Sequence, residues 1–132
     1  MPVPVCKFPV KSTSQDACRF TGSFAPAGTG APTDLKGKGF TVAYGGATGK
    51  FTLTLDGVFQ SLVSETYSRS FDTATTDAWS LSREGALDTS TTAGKTIITL
   101  VYVQNGAAAN IAANASRRVS FDIEVEPLWP LA

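Results

Sequence analysis

The chain has 132 residues, 42% of them hydrophobic and 17% charged, with eleven basic side chains balancing eleven acidic ones. That suffices for one domain with a folded surface of about 6,600 Å², about two-thirds of the open chain's area being removed from water. The neutral balance, without a block of either sign, excludes a polybasic arm for nucleic acid and an electrostatic membrane anchor, and no segment is apolar for long enough to span a bilayer.

The first 18 residues carry Pro2, Pro4 and Pro9 interleaved with Val3, Val5, Phe8 and Val10. Proline removes backbone donors and favours extended chain, so this segment reads as an extended apolar arm. It lacks the basic start and continuous apolar run of a signal peptide, which predicts a soluble protein made in the cytoplasm. Cys6 and Cys18 are too few for a disulfide scaffold; they either close a small loop in the arm or stay as two buried thiols. Next comes FTGSFAPAGTGAPTDLKGKGF, residues 20–40, with glycines at 22, 28, 30, 37 and 39 and lysines at 36 and 38. Its composition suggests a phosphate-binding loop, but a P-loop needs G-x-x-x-x-G-K-[ST] ahead of a helix. Here Gly37-Lys38 is followed by Gly39 and then by a strand pattern. The stretch is therefore read as an ordered surface loop feeding a hairpin, with Lys36 and Lys38 on one face.

The hairpin is GFTVAYGGATGKFTLTLDG. Phe40, Val42 and Tyr44 alternate with small or polar residues, Phe51, Leu53 and Leu55 do the same, and GGATG between them tolerates positive φ. GVFQSLVS, residues 57–64, reads equally as a helical turn or the start of a strand. ETYSRSFDT and DAWSLSR pass as weaker strands, and GALDTSTTAG, residues 85–94, reads as a loop. In KTIITLVYVQ, residues 95–104, Ile97, Thr99, Val101 and Val103 point one way and Ile98, Leu100 and Tyr102 the other. Both faces are largely apolar, which predicts a central strand covered on two sides. NGAAANIAANAS, residues 105–116, is a flexible loop or one short helical turn, a marginal length for a helix in water. RVSFDIEVE, residues 118–126, is the cleanest half-buried strand: Val119, Phe121, Ile123 and Val125 face in, and Ser120, Asp122, Glu124 and Glu126 face water. The tail PLWPLA places Leu128, Trp129 and Leu131 between prolines. Both ends either fold back on their own domain or dock on a neighbouring subunit. The expected architecture is all-β: a single-domain antiparallel β-sandwich or compact barrel-like fold over residues 19–126, with at least six strands and little helix. The arm (1–18) and the tail (127–132) flank it.

No constellation for chemistry emerges from the residues. With no histidine in the chain and only Cys6 and Cys18 as thiols, a zinc site is not expected, no histidine can activate a nucleophile, and DTATTD is too sparse for a calcium loop. Glu124 and Glu126 lie about 7 Å apart on one strand face, but on its solvated side. Glu84 and Asp88 have no better claim. No catalytic, metal or cofactor-binding residues are assigned, and the chain is read as not an enzyme. Arg117 and Arg118 point to opposite faces of a strand, and Lys36 and Lys38 are only two charges, so nucleic acid is not the expected partner.

Three segments in order, RFTGSFAPAGTGAPTDLKGKGFTVA, GKFTLTLDGVFQSLVSE and RRVSFDIEVE, resemble small β-rich head decoration (cement) proteins of tailed bacteriophages. The resemblance spans roughly residues 19–126 and rests on the order of motifs. It implies a structural virion protein on the capsid exterior that binds the major capsid protein, stabilises the shell and forms homotrimers at three-fold or quasi-three-fold positions. It implies no residue-level site, since the matching motifs are turns and core positions. The apolar, extended ends suit strand addition or pocket filling on a partner. The candidate capsid or subunit interface is therefore Val3, Val5 and Phe8 in the arm, Leu128, Trp129 and Leu131 in the tail, and Lys36 and Lys38 facing an acidic capsid surface. The alternatives are another virion component (a tail, fibre or coat subunit) and a carbohydrate-binding β module presenting Tyr44, Tyr67 and Trp79.

Overall fold

The computed structural model describes residues 18–71, 77–114 and 116–127. These form nine strands: β1 (Cys18–Ala27), β2 (Gly30–Lys36), β3 (Phe40–Tyr44), β4 (Lys50–Asp56), β5 (Phe59–Ser70), β6 (Trp79–Asp88), β7 (Lys95–Gln104), β8 (Ala107–Ala108) and β9 (Arg118–Pro127). No helix occurs among the described residues. All pairings are antiparallel and build two sheets, ordered β2-β1-β9-β5 and β3-β4-β7-β6, with β8 paired to β7. The sheets stack as a sandwich. At one flank β2 lies against β3, and at the other β5 lies against β6. The all-β sandwich expected from the alternation is the fold.

The core is the set of inward rows that the alternation picked out. Phe51, Leu53 and Leu55 on β4, Ile98, Leu100 and Tyr102 on β7, and Val119, Phe121, Ile123 and Val125 on β9 are all buried. Two edge-to-face ring pairs stitch the layers together: Phe24 to Phe51 at 5.2 Å and Phe40 to Phe121 at 4.8 Å between centroids. Each such pair adds about 0.5–1.5 kcal/mol to the area it buries. The one buried polar side chain of the described core, Thr96, is satisfied: its hydroxyl donates to the Gly57 carbonyl and accepts the Phe59 N–H.

Residues 20–40 are not a loop. Most of the stretch is a β-hairpin, β1 and β2 joined by Gly28 and Thr29, with Ala27 opposite Gly30 and Gly28 at φ 63°. Its alternation is masked by three devices. Pro26 lies beyond the last β1–β9 pair, so its missing N–H breaks no ladder there. Pro32 sits on the edge strand β2, where proline is tolerated. A bulge falls between the Ser23–Lys36 and Ala25–Thr33 pairs. Within it Asp34 stands at φ 51°, and Arg118 clamps both its carboxylate and its carbonyl. Gly22 lets β3 close on β1, since a Cβ there would lie 2.5 Å from the Phe40 ring.

Four other segments needed the structure. Residues 59–64 are strand, and two bulges in the β5–β9 pairing scramble their alternation. Residues 85–88, read as loop, finish β6 after a further irregularity, leaving 89–94 as the connection. The described residues of 105–116 contain no helical turn. Asn105 and Gly106 both have positive φ and form a tight two-residue hairpin turn between Gln104 and Ala107. Ile111 beyond it is buried, and the Asn110 side chain accepts the Gly49 N–H at 2.8 Å. Finally, β7 is covered on one side only within the described residues. Thr96, Ile98, Leu100 and Tyr102 are buried, while Ile97, Thr99, Val101 and Val103 are half-exposed on the outer face of their sheet.

Candidate interaction surfaces

Of the eight residues assigned to an interface from sequence, Val3, Val5, Phe8, Leu128, Trp129 and Leu131 lie outside the described residues. Lys36 ends β2, exposed, with its ammonium 3.8 Å from the Asp34 carboxylate. Lys38 is exposed in the turn between Gly37 and Gly39. Both of those glycines have positive φ, which breaks the strand period that would align the two lysines.

A polar cluster that sequence reasoning missed closes the β5–β6 flank. Tyr67 and Arg69 project from β5 on the side of Phe121 and Val119, toward the other layer. Glu65, on the same side, takes the Arg83 guanidinium of β6 on both carboxylate oxygens, at 3.0 and 3.3 Å, and the Tyr67 hydroxyl at 2.9 Å. Burial, and then the bond to Glu65, push the Tyr67 phenol well above its ordinary range. The bond to Glu65 likewise raises Arg83. Tyr67 stays a neutral donor there, and the pair acts as a seam between the sheets.

One step along β5, the Arg69 guanidinium lies among three rings. Its central carbon is 4.2 Å from the Phe71 centroid, 4.8 Å from that of Trp79 and 5.8 Å from that of Tyr102. Arg69 also donates to the buried Tyr102 hydroxyl, which donates to Gln104 at 3.2 Å. Gln104 in turn donates to Asp77 at 2.9 Å, and Asn105 reaches the other Asp77 oxygen at 3.2 Å. Arg117 covers Phe71 at 4.7 Å. Trp79 is 38% exposed, one of two large hydrophobic side chains on the described surface. The result is a rigid surface cluster of arginine stacked on aromatics, each charge held by rings or by a hydrogen-bonded chain.

The outer face of the β2-β1-β9-β5 sheet carries a solvent-open groove of about 490 Å³ lined by Thr21, Ser23, Lys36, Ser68, Ser120 and Asp122. Arg19 holds Asp122 on both oxygens and lowers its carboxyl below the usual range. The groove offers hydroxyls rather than an acid–base pair. Glu124 and Glu126 lie on this same water-facing side of β9, and Glu126 accepts the Ser61 hydroxyl at 2.8 Å. Among the described residues no group of three or more His, Cys, Asp or Glu side chains is placed to hold a metal ion. Tyr44, Tyr67 and Trp79 do not form one exposed platform. Tyr44 pairs with buried Phe51 on β4, Tyr67 pairs with Phe121 on β9, and Trp79 begins β6.

No family model matches the chain, and neither does any curated protein or solved structure.

Proposed function

We propose that the chain is a structural virion protein, not an enzyme, that binds the outer surface of a phage capsid and stabilises it as a decoration protein. The resemblance of its three segments to phage cement proteins supports this reading. The observation that carries it is the Arg69–Phe71–Trp79–Tyr102–Arg117 cluster. Tryptophan, tyrosine and arginine are the residue types that dominate binding energy at protein interfaces. Stacked and hydrogen-bonded beforehand, they lose little side-chain entropy on docking. Lys36 and Lys38 belong to the opposite flank, because β2 faces β3 while β6 faces β5. They supply a separate, salt-sensitive contact with an acidic capsid surface. The apolar ends carrying Val3, Val5, Phe8, Leu128, Trp129 and Leu131 supply the remaining contacts.

The test is co-sedimentation with undecorated capsids. Trp79→Ala is expected to weaken binding about tenfold or more, the usual scale for an interface anchor. Deleting residues 1–17 or 128–132 is expected to lower occupancy. A wild-type chain that does not bind, or unchanged occupancy for all three variants, would sink the proposal.

A further inference from the structure

A strand at the margin of a sheet leaves half its backbone groups without a ladder partner, and proteins guard such edges with charge, proline or bulges. The described sheets end in four edge strands, β2, β5, β3 and β6. β2 has Pro32, Lys36 and the bulge at Asp34, β5 has Glu65, Arg69 and two bulges, and β6 has Arg83, Glu84 and the irregularity before Asp88. β3 has none of these: FTVAY is free of charge and proline, and its pairing with β4 runs unbroken from Phe40 to Tyr44. The bonds at its two ends fix which groups face out. The Asp56 N–H donates to the Gly39 carbonyl and the Gly45 N–H to that of Lys50, each at 2.8 Å. Bonding alternates along an antiparallel pair, so Thr41 and Ala43 also serve β4, and the N–H and C=O groups of Phe40, Val42 and Tyr44 point to the margin. The side chains of these same three residues form the inward row. Their β4 partners Leu55, Leu53 and Phe51 are buried, whereas Val42 and Tyr44 are only half-buried.

We propose that the chain's own N-terminal arm caps this edge as a further strand, residues 2–7 running antiparallel to β3 with Val5 opposite Val42 and Val3 opposite Tyr44. Successive residues of a strand aim their backbone groups at opposite edges. Pro2 and Pro4 therefore lack donors on one edge only, and the N–H groups of Val3, Val5 and Lys7 line the other. That second edge is the one able to bond Phe40, Val42 and Tyr44. Directly opposed residues share a face, so the same pairing sets Val3 and Val5 on the core side, against the half-covered Val42 and Tyr44. Hydrogen-bond parity and apolar parity thus select one arrangement. Length and direction agree with it. The Phe20 ring lies 2.9 Å from where a Cβ on Gly39 would stand, and the Phe40 ring lies against Gly22, so β1 begins beside the start of β3. A strand antiparallel to β3 finishes at that end. Residues 8–17 then lead to Cys18; ten residues span up to about 33 Å, against about 10 Å between stacked sheets. The tail beyond Pro127 is five residues, most of which the same crossing would consume. So short a tether gives the arm a local concentration on the order of millimolar, which favours its own edge over a neighbour's. The contact is independent of capsid binding.

The experiment is amide hydrogen exchange on the full chain of 13.8 kDa, read residue by residue by NMR in the absence of capsids. The Thr41 and Ala43 amides, bonded to β4, are the internal reference. An open edge lets Val42 and Tyr44 exchange freely between slow neighbours, whereas a capped edge holds all four, which is the expected result. Val3→Pro combined with Val5→Pro removes both donors aimed at β3 and speeds exchange at Val42 and Tyr44 at least about tenfold, with Thr41 and Ala43 unchanged. Pro4→Ala restores an N–H that faces away, and leaves all four amides as in the wild type. Free exchange at Val42 and Tyr44 in the wild type overturns the proposal, as does protection that survives the double proline variant. Protection that fades on dilution also overturns it, by giving the arm to a second copy.

Discussion

Replacing Gly22 by alanine is the smallest change that tests how the two layers close. The added Cβ would lie 2.5 and 2.6 Å from ring carbons of Phe40 and 2.7 Å from the backbone carbonyl of Lys36. The carbonyl belongs to the paired strand β2, and the ring is 8% exposed and set edge-on to Phe121 at 4.8 Å. Neither can withdraw freely. Overpacking of this kind costs about 1–3 kcal/mol. Removing a strand glycine returns about 0.5–1 kcal/mol through the unfolded state. The net loss is about 1–2 kcal/mol. For 132 residues, at about 2.1 cal/mol/K of unfolding entropy per residue, 1 kcal/mol corresponds to roughly 3.6 °C. Thermal unfolding by circular dichroism should therefore show Gly22→Ala melting about 4–7 °C below the wild type. Trimming the ring with Phe40→Leu should make the two changes less than additive, because both act on the same contact. A melting temperature that is unchanged or raised, or strict additivity, would refute the close-approach account of Gly22.

Two further outcomes follow from the polar network and the β6–β7 turn. Tyr102→Phe keeps the buried ring but removes the hydroxyl between Arg69 and Gln104; a loss of about 1–3 kcal/mol is expected from the urea midpoint, with the slope unchanged. Asp88 accepts hydrogen bonds from Thr91 and Ser90, which lower its carboxyl from 3.8 to about 2. A depressed folded-state pKa gives stability that is present above the unfolded value and lost as pH falls through the folded one. The stability gap between the wild type and Asp88→Ala should thus hold from neutral pH down to about pH 4 and close toward pH 2, as read from urea midpoints across that range.

The strands legible in the sequence are those whose period is unbroken. β3, β4, β7 and β9 alternate cleanly and pair in the register their apolar rows require. β1, β2 and the first half of β5 were hidden by local irregularities that a period-2 reading cannot absorb: Pro26, Pro32, the bulge at Asp34 and two extra residues on β5 between Phe59 and Ser64. The Asn105-Gly106 turn was legible, being the strongest short hairpin signal, but the alanines after it suggested a helical turn. The Arg69 cluster was not legible, because it joins β5, β6, β7 and the start of β9, whose adjacency exists only after folding. One-sided cover of β7 was likewise hidden. The sequence shows that both faces are apolar, but not that the second face lacks a partner within its own described chain.

Electron microscopy of undecorated phage capsids, imaged with and without the purified chain, tests the proposed function most directly. New density on the outer surface at symmetric positions, weakened by Trp79→Ala, is the expected result. Capsids that look identical with and without saturating protein would contradict it.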